Sequence, residues 1–262
     1  MKTLILFLSI FTSTLCFAQK ESGLRNISIE GSKSIVSYLA DDKIEGREAG
    51  TRGAKMAADY IVEKLESYGL DVVTGYDKDL NNKYFHSFDT TKLSVKFSSQ
   101  PQKMHLRNIL AQIEGENPNE IVIIGAHYDH YGIRSGKIYN GADDNASGVS
   151  AVLQIASAFV KSGVKPKRTV IFALWDGEEK GLLGSSRFVK SFKNINNVKA
   201  YLNFDMIGRN SDELNPKTFT YFYTAKNGEF EQWLRESIIE YSLDLKPQYN
   251  AWENPVSGSD NA

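Results

Sequence analysis

The sequence predicts an α/β fold: a mostly parallel, mixed β-sheet with helices on both faces. A short unbroken apolar run at residues 121–124 and a second, led by Thr169, at 169–175 read as strands covered on both sides. Stretches of helical apolar period alternate with them, at residues 146–161, 182–192 and 229–241, as crossovers between parallel strands require. The composition, 41% hydrophobic and 24% charged over 262 residues, is enough for one core.

The first 18 residues are different material. Lys2 is followed by an apolar stretch from Leu4 to Phe17, and Cys16 and Ala18 place small residues before Gln19. This reads as a secretory signal peptide, too short to span a membrane comfortably. Lipidation would need Cys16, and Leu15 is a poor residue to precede it. Residues 19–262 then form one domain without a further cysteine, repeat or low-complexity linker. A thiol-free exported chain fits a secreted or periplasmic enzyme and removes thiolate chemistry.

Within the domain, residues 51–68 read as a helix. Thr51 can cap its start, Ala54, Ala57, Ile61, Leu65 and Tyr68 share a face, and Gly69 sits where a helix-ending glycine belongs. Leu93, Val95 and Phe97 alternate, predicting a half-buried strand at 92–98. Further strands are expected at 108–113, 200–204 and 219–223, with a surface turn at Asn81-Asn82. In the 146–161 helix, Val149, Val152, Leu153, Ile155, Ala156 and Phe159 make a broad apolar face.

Charge excludes some partners. Lys and Arg total 31 against 32 Asp and Glu, so no basic field recruits nucleic acid or, after signal cleavage, an anionic membrane.

Four polar segments follow apolar runs or precede a helix: Ala126-His127-Tyr128-Asp129-His130, Gly141-Ala142-Asp143-Asp144-Asn145-Ala146-Ser147-Gly148, Asp176-Gly177-Glu178-Glu179, and Asn203-Phe204-Asp205-Met206. Sites in open α/β sheets collect beyond the carboxyl ends of strands, so all four can converge on one rim. A mixed histidine and carboxylate set suits Zn²⁺. A carboxylate can bridge two metals about 3.5–4 Å apart, and another beside the bound water can shuttle its proton. Taken singly, each has a plainer reading: a structural histidine, a solvated Glu-Glu loop, or a helix-capping Asp143-Asp144. An EF-hand start at Asp143 fails because its twelfth position, Gln154, lies inside the apolar helix. Four such segments in order make coincidence a poor explanation.

The pattern resembles the M28 family of zinc aminopeptidases, on Gly125-Ala126-His127-Tyr128-Asp129, the 141–148 segment, Glu178-Glu179 with Gly181-Leu182-Leu183-Gly184-Ser185, and Asn203-Phe204-Asp205-Met206-Ile207-Gly208. Upstream, Gly46-Arg47, Gly50-Thr51, Gly53 and Ala57-Ala58-Asp59-Tyr60-Ile61 also match. The resemblance implies a zinc-exopeptidase fold and a two-zinc enzyme acting on the N-terminal bond of peptides. It implies that His127 and Asp205 bind one zinc. Asp143 bridges both, with a cis peptide to Asp144, and Glu179 binds the second. Glu178 is the general base, and Asp129 hydrogen-bonds His127 from behind. His130 has no ligand role in the family pattern and is expected on the rim or just behind the ligands; His86 and His105 are expected to be structural.

The family's second zinc takes one further histidine near the C-terminus. This chain has four histidines, none after His130, so it reads as C-terminally truncated, the alternative being a natural variant that lost this ligand and binds the second zinc poorly. Two other readings stand beside the aminopeptidase. One is a single-zinc glutaminyl cyclase, which would use Asp143, Glu179 and the absent histidine. The other is a non-catalytic binding module of the same fold.

Overall fold

The structure is a computed structural model. It describes residues 22–76, 83–93, 101–210, 214–253 and 258–260. The expected signal peptide, the turn at 81–82 and most of the strand expected at 92–98 lie outside these residues.

The helices are α1 (Ile29–Leu39), α2 (Arg52–Tyr68), α3 (Gly148–Ser162), α4 (Leu183–Ser191) and α5 (Glu229–Glu240). The strands are β1 (Asp71–Val72), β2 (Phe85–Leu93), β3 (Pro101–Ile113), β4 (Asn117–His127), β5 (Gly132–Arg134), β6 (Lys137–Tyr139), β7 (Arg168–Trp175), β8 (Val198–Asn203), β9 (Thr218–Thr224) and β10 (Lys246–Trp252). The main sheet runs β1-β3-β7-β4-β8, with β2 also on β3. Its centre is parallel: β4 pairs in parallel with both β7 and β8. The other side is antiparallel, β3 against β1, β2 and β7. The sheet is therefore mixed, and its parallel part is the part that carries the candidate site.

Strand alternation sorts the core onto the two faces. Ile124 and Ala126 of β4 and Val170, Phe172 and Leu174 of β7 pack with α1, α2 and α3. Their neighbours Ile121, Ile123, Ile171, Ala173 and Trp175 pack with Phe188 of α4 and Phe192 just beyond it. Helices thus cover both faces, and the central strands need apolar side chains at every position. That is why their sequences run unbroken.

α2 forms as its caps dictate. The Thr51 side chain accepts the Ala54 amide, and Gly69, at φ 76°, ends the helix in a left-handed conformation that a side chain would resist. Ala54, Ala57, Ala58, Ile61 and Leu65 are buried, and the small ones allow close approach to the sheet.

Candidate metal centre

β4 ends on His127, in register beside Trp175 at the end of β7. Gly125 of β4 stands beside Asn203 at the end of β8. Because these three strands are parallel, residues 176–179 and Asp205 leave the sheet on the same rim as His127. The turn Ala142–Ser147, leading into α3, brings Asp143 and Asp144 to that rim.

His127 is buried. Its Nε2 lies 3.3 Å from Asp144 Oδ1 and 3.5 Å from Asp205 Oδ1. Its Nδ1 faces the main-chain oxygen of Asp129 at 3.1 Å, with the Asp129 carboxylate at 3.7 Å. Burial alone would lower the ring's proton affinity, but Asp129, Asp144 and Asp205 outweigh it and hold the pKa well above the usual histidine range. The pocket calls for positive charge at Nε2, which a proton or a metal cation can supply.

One observation tests the fit of a metal. Asp205 Oδ2 accepts the Ser259 hydroxyl at 2.5 Å, but Asp205 Oδ1 is buried without a hydrogen-bond partner. A buried carboxylate oxygen without a donor is costly, and a cation satisfies it. Bonds of about 2.0–2.2 Å in a tetrahedron place ligand atoms about 3.3–3.6 Å apart, and the two separations at His127 match.

A second group adjoins the first. His130 Nδ1 lies 2.8 Å from Glu179 Oε1 and 3.7 Å from Asp144 Oδ2. Asp144 therefore turns one oxygen to each group, and each holds one histidine and two carboxylates. The donor set suits zinc in both.

Glu178 belongs to neither group. Burial pushes its carboxyl up to about 8; Asp260, Asp129 and Glu179 add to this, and His127 opposes it. The backbone amides of Glu178 and Glu179 donate to the two oxygens of the fully buried Asp129, at 3.0 and 3.3 Å.

The structure places His127, Asp205, Glu178, Glu179 and Asp129 on one rim, and puts Asp144 where Asp143 was expected. The shared carboxylate is that of Asp144. Asp143 turns to the next loop, where its Oδ1 accepts the Gly208 amide at 2.8 Å and its Oδ2 lies 3.6 Å from Arg209. The cis peptide likewise joins Asp144 to Asn145, one bond later than expected. Asn145 is buried: its amide group donates to the Phe204 carbonyl and its Oδ1 accepts the Gly148 amide. With Asn145 turned inward and Asp143 tied to residue 208, Asp144 is the one left to face the histidines. Nothing in the order of two adjacent aspartates distinguishes them.

His130, expected on the rim or just behind the ligands, lies beside Glu179 and Asp144. Its spacing from His127 was visible, but the bend that turns both rings inward was not. Ser259 donates to Asp205, and Asp260 accepts from Ser185. His86 and His105 lie elsewhere, His86 buried against Asn108 and Ser191 and His105 exposed on Asp89.

A family model described as peptidase family M28 matches residues 108–262. The chain belongs to peptidase family M28. This M28 chain is 37% identical over 210 residues to the probable lipoprotein aminopeptidase LpqL of Mycobacterium tuberculosis, covering 78% of the chain and 36% of that protein. It spans less than two fifths of the length of such curated relatives. Among solved structures, the Legionella pneumophila LapA aminopeptidase aligns with a TM-score of 0.66 at 22% identity, over 93% of this chain and 58% of that one. The Porphyromonas gingivalis glutaminyl cyclase aligns with a TM-score of 0.60 at 18% identity, over 90% and 78%. At those identities both likenesses are of fold.

Proposed function

We propose that this M28 chain carries the site of an exported, two-zinc aminopeptidase that releases N-terminal residues from peptides. The reading is carried by Asp144, whose two oxygens are divided between two histidine-carboxylate groups, with the half-buried Glu178 beside them. His127, Asp144 and Asp205 would hold one metal, and Asp144 and Glu179 would contribute to holding the other. When bound, the metals supply Lewis acidity and neutralise developing negative charge.

The chain's own residues supply the rest. Glu178 takes a proton from water onto its carboxylate and returns it to the departing amine nitrogen. Partial burial raises its proton affinity above that of a free glutamate, which favours holding the proton between the two halves of that exchange. Asp129 fixes the turn that aims Glu178 by accepting two consecutive amides. The remaining carboxylate charge on the rim favours a substrate's free α-ammonium. Export rests on the leader-like residues 1–18. Among the described residues no helix is long and apolar enough to cross a membrane.

The test is a panel of aminoacyl anilides and short peptides with zinc-loaded protein. Stepwise loss of N-terminal residues supports the reading, and cleavage only at internal bonds sinks it. Fold likeness also raises the cyclase. A one-metal cyclase has less use for the group formed by His127 and Asp205, and ring closure of N-terminal glutamine without bond cleavage would select it. Absence of bound zinc would select the binding module.

A further inference from the structure

A buried cation stands behind the rim. Arg47 is 0% exposed. Burial lowers its proton affinity to about 10, and the charges of Asp129, Asp144 and Glu179 oppose this, so the group stays charged. Among the described residues, the acceptors of its guanidinium are main-chain carbonyls. Nε donates to Tyr128 at 2.8 Å, Nη1 to Asn140 at 2.6 Å and to Leu39, and Nη2 to Gly141 at 2.8 Å. Its own carbonyl accepts the His130 amide at 3.1 Å. Tyr128 follows His127, and Asn140 and Gly141 lead into the turn that carries Asp144. One rigid fork therefore spans the segments that must present His127 and Asp144 to the same ion.

The surrounding chain is shaped to admit that fork. A Cβ on Gly141 would lie 2.7 Å from Nη2, so the guanidinium occupies the space a side chain would need. Glu45, Gly46 and Arg47 stand in succession at φ 55°, 67° and 52°. Left-handed backbone at non-glycine residues is costly, and it persists where the surroundings demand it.

We propose that Arg47 is a positioning residue for the metal site, holding the His127 and Asp144 segments at binding distance before any ion arrives. The proposal rests on the metallopeptidase reading above. The fixed charge also offsets repulsion among Asp129, Asp144 and Glu179 while the site is empty of metal. A lysine would keep the charge, but it donates from a single nitrogen and cannot set the spacing of separated carbonyls.

The test compares the whole chain with Arg47→Lys, below the melting temperature of each. Zinc affinity is read by competition with a chromophoric chelator, and ligand geometry by the visible spectrum of the cobalt-loaded protein. The lysine variant is expected to bind zinc about 10–100-fold more weakly, the usual cost of losing an outer partner, and to show an altered cobalt spectrum. An arginine that served stability alone would lower the melting temperature and leave both readings at parental values. That result overturns the proposal and leaves the metallopeptidase reading standing. A second measurement needs no variant: hydrogen exchange of the Arg47 Nε–H in the parent, followed by NMR. Slow exchange in the metal-free protein, unchanged by zinc, is expected. Fast exchange that slows only on zinc binding overturns the proposal, whether or not the lysine variant folds. A parent protein that binds no zinc overturns both readings.

Discussion

Asp129 Oδ1 accepts the backbone amide of Glu178 at 3.0 Å, from a position sealed from solvent. Its other oxygen takes the amide of Glu179. One carboxylate behind His127 thus sets the position of both the proposed base and a proposed ligand. Asp129→Asn keeps the shape but loses one acceptor. It is expected to lower kcat by about 10–100-fold, the usual cost of an outer partner, with KM little changed. Steady-state kinetics with metal content measured on the same sample checks this.

Glu178→Gln should retain both metals and lose about 10²–10⁴-fold in kcat, the typical worth of general acid-base catalysis. Glutamine preserves size and removes the proton acceptor. Turnover near that of the parent protein would remove Glu178 from the proton-transfer role.

The two adjacent aspartates should differ sharply. Asp144→Asn replaces one of the two oxygens with an amide nitrogen and removes the negative charge common to both groups, and is expected to reduce bound zinc to less than one equivalent. Asp143→Asn loses only its contacts with Gly208 and Arg209 and should keep the zinc. Zinc content by mass spectrometry decides, and the reverse pattern would restore Asp143 as the bridge.

These outcomes bear on how far the sequence could be read. Strand-end residues such as His127 and Asp205 were legible because apolar runs locate strand ends, and parallel strands put those ends together. The α2 helix was legible because Thr51, its apolar face and Gly69 agree. The choice between Asp143 and Asp144 was not, because outside regular structure no periodicity says which side chain turns inward. β10 was missed because Pro247 demotes a run in which Pro247, Tyr249 and Ala251 otherwise alternate with Lys246, Gln248 and Asn250. β3 begins before residue 108 because Gln102, Lys103, His105 and Arg107 pair with β2 through main-chain bonds that polar side chains do not advertise.

Asp176 should impose a pH dependence on stability. An unfolded aspartate titrates at about 3.9. Burial, with the Asp129 charge adding, raises Asp176 to about 7. Its Oδ1 has no partner, while Oδ2 accepts the Arg107 amide. Between about pH 4 and pH 7 the folded chain binds more protons at this group than the unfolded one, so stability falls as pH rises. Below that window the contribution is fully present; above it, fully lost. Asp176→Asn should remove this loss. In urea unfolding with chelator present, the variant's advantage over the parent should widen from pH 4 to pH 7 and then level. A gap constant with pH contradicts the assignment.

The central claim is that these groups make a metal-dependent aminopeptidase. The most direct measurement compares leucyl-anilide with its N-acetylated form, using zinc-loaded protein before and after chelation. The account predicts release from the free-amine substrate alone, abolished by the chelator and restored by zinc. Equal cleavage of the acetylated substrate, or turnover that survives metal removal, would contradict it.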